Sequence, residues 1–196
     1  MSRAKLAAIV LAAGSSRRFG SDKLSAPFRC LPLVRHAIAA ARAAPVERVI
    51  VVAAPALDIG RWDDSPPVQV ERIASPALSA SLKAGIAAAG DVAGAFVFLG
   101  DMPLVPHDLA GKLAAVLAGN YAAVPRGSSG RNGHPVLLSR RAFADIATLG
   151  GDEGAGKLLK SRSDIAFVDG SAETIHLDVD RAEDIARLEH WGEDEE

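Results

Sequence analysis

Apolar residues in this chain gather into short runs, and the runs alternate with segments of helical spacing. Leu6 to Ala13 is an apolar stretch closed by Gly14, too short to cross a membrane, and reads as a strand buried on both faces, as in a parallel sheet. Leu33 to Ala44 is alanine-rich with Leu33, Ile38 and Ala41 near helical spacing. Pro32 sits where a first turn accepts proline, and Pro45 ends the helix. Val46 to Ala53 is a second buried strand, so the order strand, helix, strand predicts a parallel sheet. Pro55, Pro66 and Pro67 mark 54–67 as a surface loop, followed by a short strand from Val68 to Ile73 and a helix from Ala80 to Ala89 capped by Ser79. Ala95 to Leu99 is a third apolar strand. A helix is expected over Pro106 to Ala118, with His107 and Asp108 in its first turn, then a strand over Tyr121 to Val124 and a polar loop over Arg126 to Gly133. Further strands are expected at Pro135 to Leu138, Ile165 to Val168 and Thr174 to Leu177. Helices are expected at Arg140 to Thr148, Glu153 to Leu159 and Arg181 to Trp191. The pattern predicts one three-layer α/β/α domain over residues 1–191, with a mostly parallel, Rossmann-like sheet and an acidic fringe at 192–196 that frays.

Composition narrows the classes of function. At 196 residues the chain suffices for one core and is short for two. A net charge of −2 gives no reason to expect nucleic acid as a partner, so any anion binding must come from local clusters. No apolar run approaches the roughly 20 residues of a spanning helix, and no membrane partner is expected. The single cysteine, Cys30, excludes an intramolecular disulfide and fits a reducing compartment; a cytoplasmic protein is expected.

Chemistry first shows where the first strand ends. Gly14 to Lys23, GSSRRFGSDK, is a hydroxyl-rich, cationic loop after a buried strand, a setting in which backbone N–H groups, Arg18 and Lys23 can hold phosphates. It is not a Walker loop, because five residues separate Gly14 from Gly20 and Lys23 comes three residues late. It is not a dinucleotide fingerprint, because Gly14 has no glycine partner two positions on. Asp101 follows the third strand directly. Asp178 and Asp180, at i and i+2, point the same way if extended, and Asp180 can alternatively cap the last helix. One or two carboxylates with substrate phosphates is the usual way of holding Mg²⁺. His36 and His107 lie in helices without a second ligand at metal spacing, Cys30 has no pattern arguing for a thiolate, and no G-x-S-x-G elbow marks a hydrolase.

Leu11 to Lys23, L-A-A-G-x-x-x-R-F-G-x-x-K, resembles the signature of the MobA/MocA-type nucleotidyltransferases, which attach a nucleotide to the molybdenum cofactor. The resemblance runs through five motifs and implies the nucleotide-diphospho-sugar transferase fold. It implies that Leu11, Ala12, Ala13, Gly14, Ser15, Arg18, Lys23 and Gly100 bind the nucleotide, with Arg18, Lys23 and Asp101 carrying the catalysis. The stretch with Ser75, Ser81 and Gly85 is similar to the family's base- and ribose-binding segment, although Ser75 stands where asparagine is usual. Asp101 of Gly100-Asp101-Met102-Pro103 looks like the metal ligand, with Asp178 and Asp180 able to share it. There Arg181-Ala182 replaces the family's Thr-Pro. The Gly133-His134-Pro135 and Gly151-Asp152-Glu153-Gly154 loops resemble the acceptor-handling ones, placing Gly133, His134, Asp152 and Gly154 at the acceptor.

Guanylyl-transferring relatives read Leu-Ala-Gly-Gly, so Ala13 and the Gly-Asp-Met-Pro turn imply CTP, a molybdopterin-type acceptor and Mg²⁺, with a molybdenum hydroxylase as recipient. Leu31 stands where the family often has a second lysine, which implies weaker triphosphate contacts or another acceptor. Three alternatives stay open: a transferase for a sugar or alcohol phosphate, a nucleotide-binding accessory protein that delivers cofactor without turnover, and an oxidoreductase reusing the fold. The missing dinucleotide fingerprint argues against the last.

Overall fold

A computed structural model of the chain describes residues 4–14, 19, 22–75, 77–170 and 173–191. The first apolar run is β1 (Leu6–Ala12), buried along nearly its whole length. The chain then forms a single 3₁₀ turn at Lys23–Ser25 and a small hairpin of β2 (Pro27–Phe28) and β3 (Leu31–Pro32). Helix α1 (Leu33–Ala43), β4 (Arg48–Ala53), β5 (Val68–Arg72), α2 (Leu78–Ala89) and β6 (Gly94–Leu99) complete the first half. The second half runs α3 (Leu109–Val116), β7 (Ala122–Arg126), β8 (Val136–Ser139), α4 (Arg141–Ile146), α5 (Ala155–Leu159), β9 (Ile165–Asp169) and α6 (Ala182–Glu189).

Seven strands form one sheet in the order β5-β4-β1-β6-β8-β7-β9. All pairings are parallel except those of β8, which runs against both β6 and β7. Two reversals restore direction, so β1, β4, β5, β6, β7 and β9 all end on the same edge. The two faces of β1 explain the layers. Leu6, Ala8, Val10 and Ala12 pack with residues of α1, α3 and α6, while Ala7 and Ile9 pack beneath α2. Each face must be covered because both are apolar, and the three-layer α/β/α architecture follows.

Local differences from the sequence-based expectations have physical causes. Thr174 to Leu177 is not a strand but a 3₁₀ turn, Glu173–His176, and β9 is an edge strand paired only with β7. One buried anchor, Ile175, satisfies that segment's apolar content. Ser79 does not cap α2: the N-cap is Ala77, and Ser79 reaches across to the Gly151 carbonyl through both its N–H (3.1 Å) and its hydroxyl (2.7 Å). His107 and Asp108 precede α3 rather than forming its first turn. The expected acidic fringe at 192–196 lies outside the described residues.

The hairpin was not expected at all. Its two-residue turn places Arg29 (φ 43°) and Cys30 (φ 67°) in the left-handed region, which normally selects glycine or asparagine. Tertiary contacts hold it there. Arg29 donates from Nη2 to the Glu189 and Trp191 carbonyls at 3.2 and 3.0 Å, and His36 Nε2 donates to the Phe28 carbonyl at 2.9 Å. Burial pushes the His36 pKa below its usual 6.5. The unfolded chain therefore takes up the proton first as pH falls, and the stability contributed by neutral His36 is full above about pH 6.5 and is lost below it. Urea melts of the wild type and of His36→Gln between pH 7.5 and 5.5 should show the wild type's relative advantage shrinking with acidification. A gap independent of pH would contradict this reading.

Candidate functional site

The site is built where β1 and β6 end. Gly100 donates its N–H to the Leu11 carbonyl at 2.9 Å, and an added Cβ there would lie 3.0 Å from that same oxygen. Glycine is thus needed for the turn that swings Asp101 out over the end of β1. Asp101 in turn accepts the Val179 N–H on its backbone carbonyl at 3.0 Å, which locks the 178–180 segment beside it.

Lys23 occupies the space between these segments. Its Nζ lies 2.8 Å from Asp101 Oδ2, 2.6 Å from the Val179 carbonyl oxygen and 3.6 Å from Asp180 Oδ1. The lysine side chain is only 14% exposed, so its charge requires this pairing. Asp178 sits close enough to Asp101 and Asp180 to respond to both. Desolvation first, then those two carboxylates, pushes its carboxyl above the ordinary range, with Lys23 pulling the other way. Lys23, Asp101, Asp178 and Asp180, far apart in sequence, are therefore brought together. Val179, which the sequence did not single out, supplies a carbonyl. Its signal was the one apolar residue between two aspartates at a strand-like spacing.

The oxygen set suits a hard divalent cation. Two carboxylates and a backbone carbonyl already hold a positive charge, that of the lysine, and such ligands with substrate phosphates are the usual Mg²⁺ environment. Among the described residues no three His, Cys, Asp or Glu side chains form a closed metal cage, so substrate oxygens would complete the shell.

Beside this cation site lies a cavity of about 190 Å³ whose wall is chiefly aliphatic: Leu11, Leu78, Leu82, Val97, Leu99 and Leu159. Asn132, Gly133, His134, Val136, Gly154, Ala155 and Gly156 complete it, so Leu11, expected on the nucleotide side, shares one space with Gly133, His134 and Gly154, expected on the acceptor side. His134 is buried, which pushes its imidazole pKa down, and its Nδ1 faces the Val97 carbonyl at 3.5 Å. The ring is consequently neutral at physiological pH. The 126–133 loop is not free of apolar anchors, as its composition suggested: Gly133 packs on Ile175, and the His134 N–H donates to the Ile175 carbonyl at 3.1 Å.

Other expected residues are placed differently. Ser81 is buried and its hydroxyl turns back to the Ala77 carbonyl at 3.4 Å, within its own helix. Gly85 faces the sheet, where an added Cβ would lie 2.4 Å from Ile9 Cγ2, so helix-to-sheet packing accounts for it. Ser75 accepts the Ala77 N–H at 3.3 Å, ahead of α2. Asp152 is exposed on its turn and is not part of the cavity wall. Ala12 and Ala13 are buried at the end of β1, and Gly14 is exposed with open space around it. Leu31 is 44% exposed on the hairpin. Ser15 and Arg18 lie outside the described residues.

With this geometry in place, comparison with known proteins identifies the class. Residues 8–166 match the model of the MobA-like NTP transferase domain, and the chain belongs to that family. It is a nucleotidyltransferase of the MobA-like type. It is 35% identical over 124 residues, 62% of this chain and 61% of the relative, to a probable molybdenum cofactor guanylyltransferase of Pyrococcus furiosus; the match thus spans less than two thirds of that protein. It is 29% identical over 168 residues, 80% and 81% of the two chains, to the purine catabolism protein PucB of Bacillus subtilis. Among solved structures it resembles the Rv0371c homologue of Mycobacterium sp. strain JC1, with TM-score 0.84, 30% identity and full coverage of both chains. It also resembles Mycobacterium tuberculosis Rv0371c in complex with manganese, with TM-score 0.75, 28% identity and 95% and 99% coverage.

The two glycines at this site separate packing from binding. Gly85→Ala should destabilise the fold by about 1–3 kcal/mol through overpacking against Ile9. Gly14→Ala should leave the unfolding midpoint nearly unchanged and weaken nucleotide binding. Denaturant melts and nucleotide titration of both variants check this, and the reverse pattern would contradict it.

Proposed function

We propose that this protein transfers CMP from CTP to the terminal phosphate of a molybdopterin-type acceptor and releases pyrophosphate. The observation that carries the reading is the Lys23 ammonium held by Asp101, the Val179 carbonyl and Asp180 where β1 and β6 end, the same strand ends whose Leu11 and Leu99 line the aliphatic cavity. An oxygen of the acceptor phosphate attacks the α-phosphorus, a new P–O bond forms, and the bond from the α-phosphorus to the bridging oxygen breaks as pyrophosphate leaves. Little covalent work falls to the protein; position and charge do most of it.

Arg18, Lys23 and the N–H groups near Gly14 hold the triphosphate in this scheme, and Ala12, Ala13, Ser15 and Ser75 border the nucleoside. Asp101, with Asp180 and the Val179 carbonyl, would hold Mg²⁺, and Asp178 adds negative charge nearby. When bound, the ion neutralises charge on the reacting phosphates. Lys23 then exchanges its carboxylate for phosphate oxygens. Gly133, neutral His134 and Gly154 border the acceptor, and Asp152 stands at the entrance. The aliphatic wall fits a flat ring better than a polyol, whose hydroxyls would go unpaired there, and this favours the pterin over sugar or alcohol phosphates. Transfer of the loaded cofactor to a molybdenum hydroxylase is the corresponding downstream role. The manganese-bound Rv0371c supports a divalent ion in proteins of this shape.

Two nucleotides compete for the reading. Ala13 places a methyl group where the guanylyl-transferring signature has glycine, which favours the smaller pyrimidine. The Pyrococcus relative carries a guanylyltransferase name, which favours GTP. Pyrophosphate release measured for the four NTPs, with and without molybdopterin and with Mg²⁺ or chelator, separates these cases. CTP, acceptor and Mg²⁺ should all be required. Binding without release across all acceptors would instead support the accessory role. Lys23→Ala should lower kcat/KM by roughly 10²–10³-fold, as the loss of one charge-stabilising donor does; unaltered turnover would remove Lys23 from the mechanism.

A further inference from the structure

A second cavity lies on the same sheet edge, beyond His134. It has a volume of about 230 Å³ and sits where β7 and β9 end, between the 127–131 turn and the 3₁₀ turn at Glu173–His176. Unlike the aliphatic cavity, its wall is polar: Ser128, Ser129, Arg131, Glu173 and His176, with Gly127 and Gly170 leaving room between them.

Its donors are unspent. Among the described residues the Arg131 side chain makes no hydrogen bond and no ion pair, and the same holds for the Ser128 hydroxyl. His176 Nε2 is sealed from solvent without a partner, as is the neighbouring Thr174 hydroxyl. A buried polar atom left unpaired costs about 1–3 kcal/mol, so such atoms call for an explanation. Gly127 covers the His176 nitrogen so closely that an added Cβ would stand 2.7 Å from it. A small lift of the 127–131 turn would therefore expose the nitrogen to a ligand. One carboxylate, Glu173, opposes a guanidinium, two hydroxyls and an imidazole.

This cavity is separate from the cation site yet electrically adjacent to it. Asp178 responds to Asp101, Asp180 and Lys23, whereas His176 responds to Arg131 and Glu173. His134 lies within reach of both Asp101 and His176, hence between the two.

We infer that this cavity is an oxyanion subsite, built to take a phosphate- or carboxylate-like group through Arg131, Ser128 and His176. The group is either a second anionic substituent of the acceptor, distal to the phosphate that reacts, or a free inorganic anion. Only the first assignment rests on the transfer reading above; the existence of the subsite does not.

The test uses inorganic phosphate and the full chain, read by NMR of the His176 imidazole at fixed pH with chelator present. Phosphate should shift the His176 signals in the wild type and equally in Lys23→Ala, which separates this subsite from the triphosphate loop. Arg131→Gln should weaken that binding about tenfold or more, the scale of one lost charge-assisted hydrogen bond. Glu173→Gln should tighten it several-fold, a change of opposite sign that misfolding does not mimic. Absence of a phosphate-dependent His176 shift, or equal affinity in wild type and Arg131→Gln, overturns the subsite. In turnover assays, a raised acceptor KM in Arg131→Gln with NTP KM unchanged assigns the anion to the acceptor. An unchanged acceptor KM, with phosphate still binding at His176, assigns it to a free ion.

Discussion

One ammonium group ties together the ends of three distant segments. Lys23 reaches Asp101, 78 residues on, and the Val179 carbonyl, 156 residues on. Its charge is mostly removed from water, so it is stable only while those oxygens stay where they are. The Val179 N–H closes the same junction from the other side by bonding the Asp101 backbone. The loop after β1, the turn after β6 and the approach to α6 are thereby joined by a few polar contacts at the sheet edge, above a core into which Leu24, Met102 and Val179 insert.

The sheet supplies the edge on which this works. Because β8 alone runs against its neighbours, six strands end together, and the loops discussed above leave from that side. The resulting surface has a cation site over β1 and β6, an aliphatic cavity between α2 and α5, and a polar cavity over β7 and β9. Neutral His134 stands between the last and the first. Ser79 pins α2 to the Gly151 carbonyl, so that helix is joined directly to the turn before α5. Two substrates meeting here would be sensed by one rigid frame.

Most of the frame was legible in the sequence because buried parallel strands are continuous apolar runs. Leu6 to Ala13, Val46 to Ala53 and Ala95 to Leu99 are each found as strands, shifted by no more than two residues at either end. Asp101 was legible as a candidate because it follows a buried apolar run, whereas the Asp178/Asp180 pair drew attention by its i, i+2 spacing although the segment before it is no strand. The hairpin at 27–32 was not, since Arg29 and Cys30 adopt positive φ for tertiary reasons that no local preference signals. Gly85 and Ser81 matched a binding motif by type, yet their positions answer to packing on Ile9 and to a bond within α2. Val179 carried only the signal of an apolar residue between two aspartates, and His176 escaped notice because a lone histidine carries no pattern.

The charges at the cation site explain why a lysine sits in it. Lys23 lies against the carboxylates of Asp101 and Asp180, and desolvation first, then those two charges, pushes the nearby Asp178 carboxyl above its ordinary range. Such a pair of carboxylates must be stable in the free protein. The ammonium provides this by offsetting the charge of Asp101 and Asp180, and on the proposed reading its long flexible stem would let it follow substrate phosphates. The same residue thus holds the edge of the free protein together and, on the proposed reading, would hold the substrate in the complex. Both uses require only that the lysine be poised a few ångströms from carboxylates that prefer another partner.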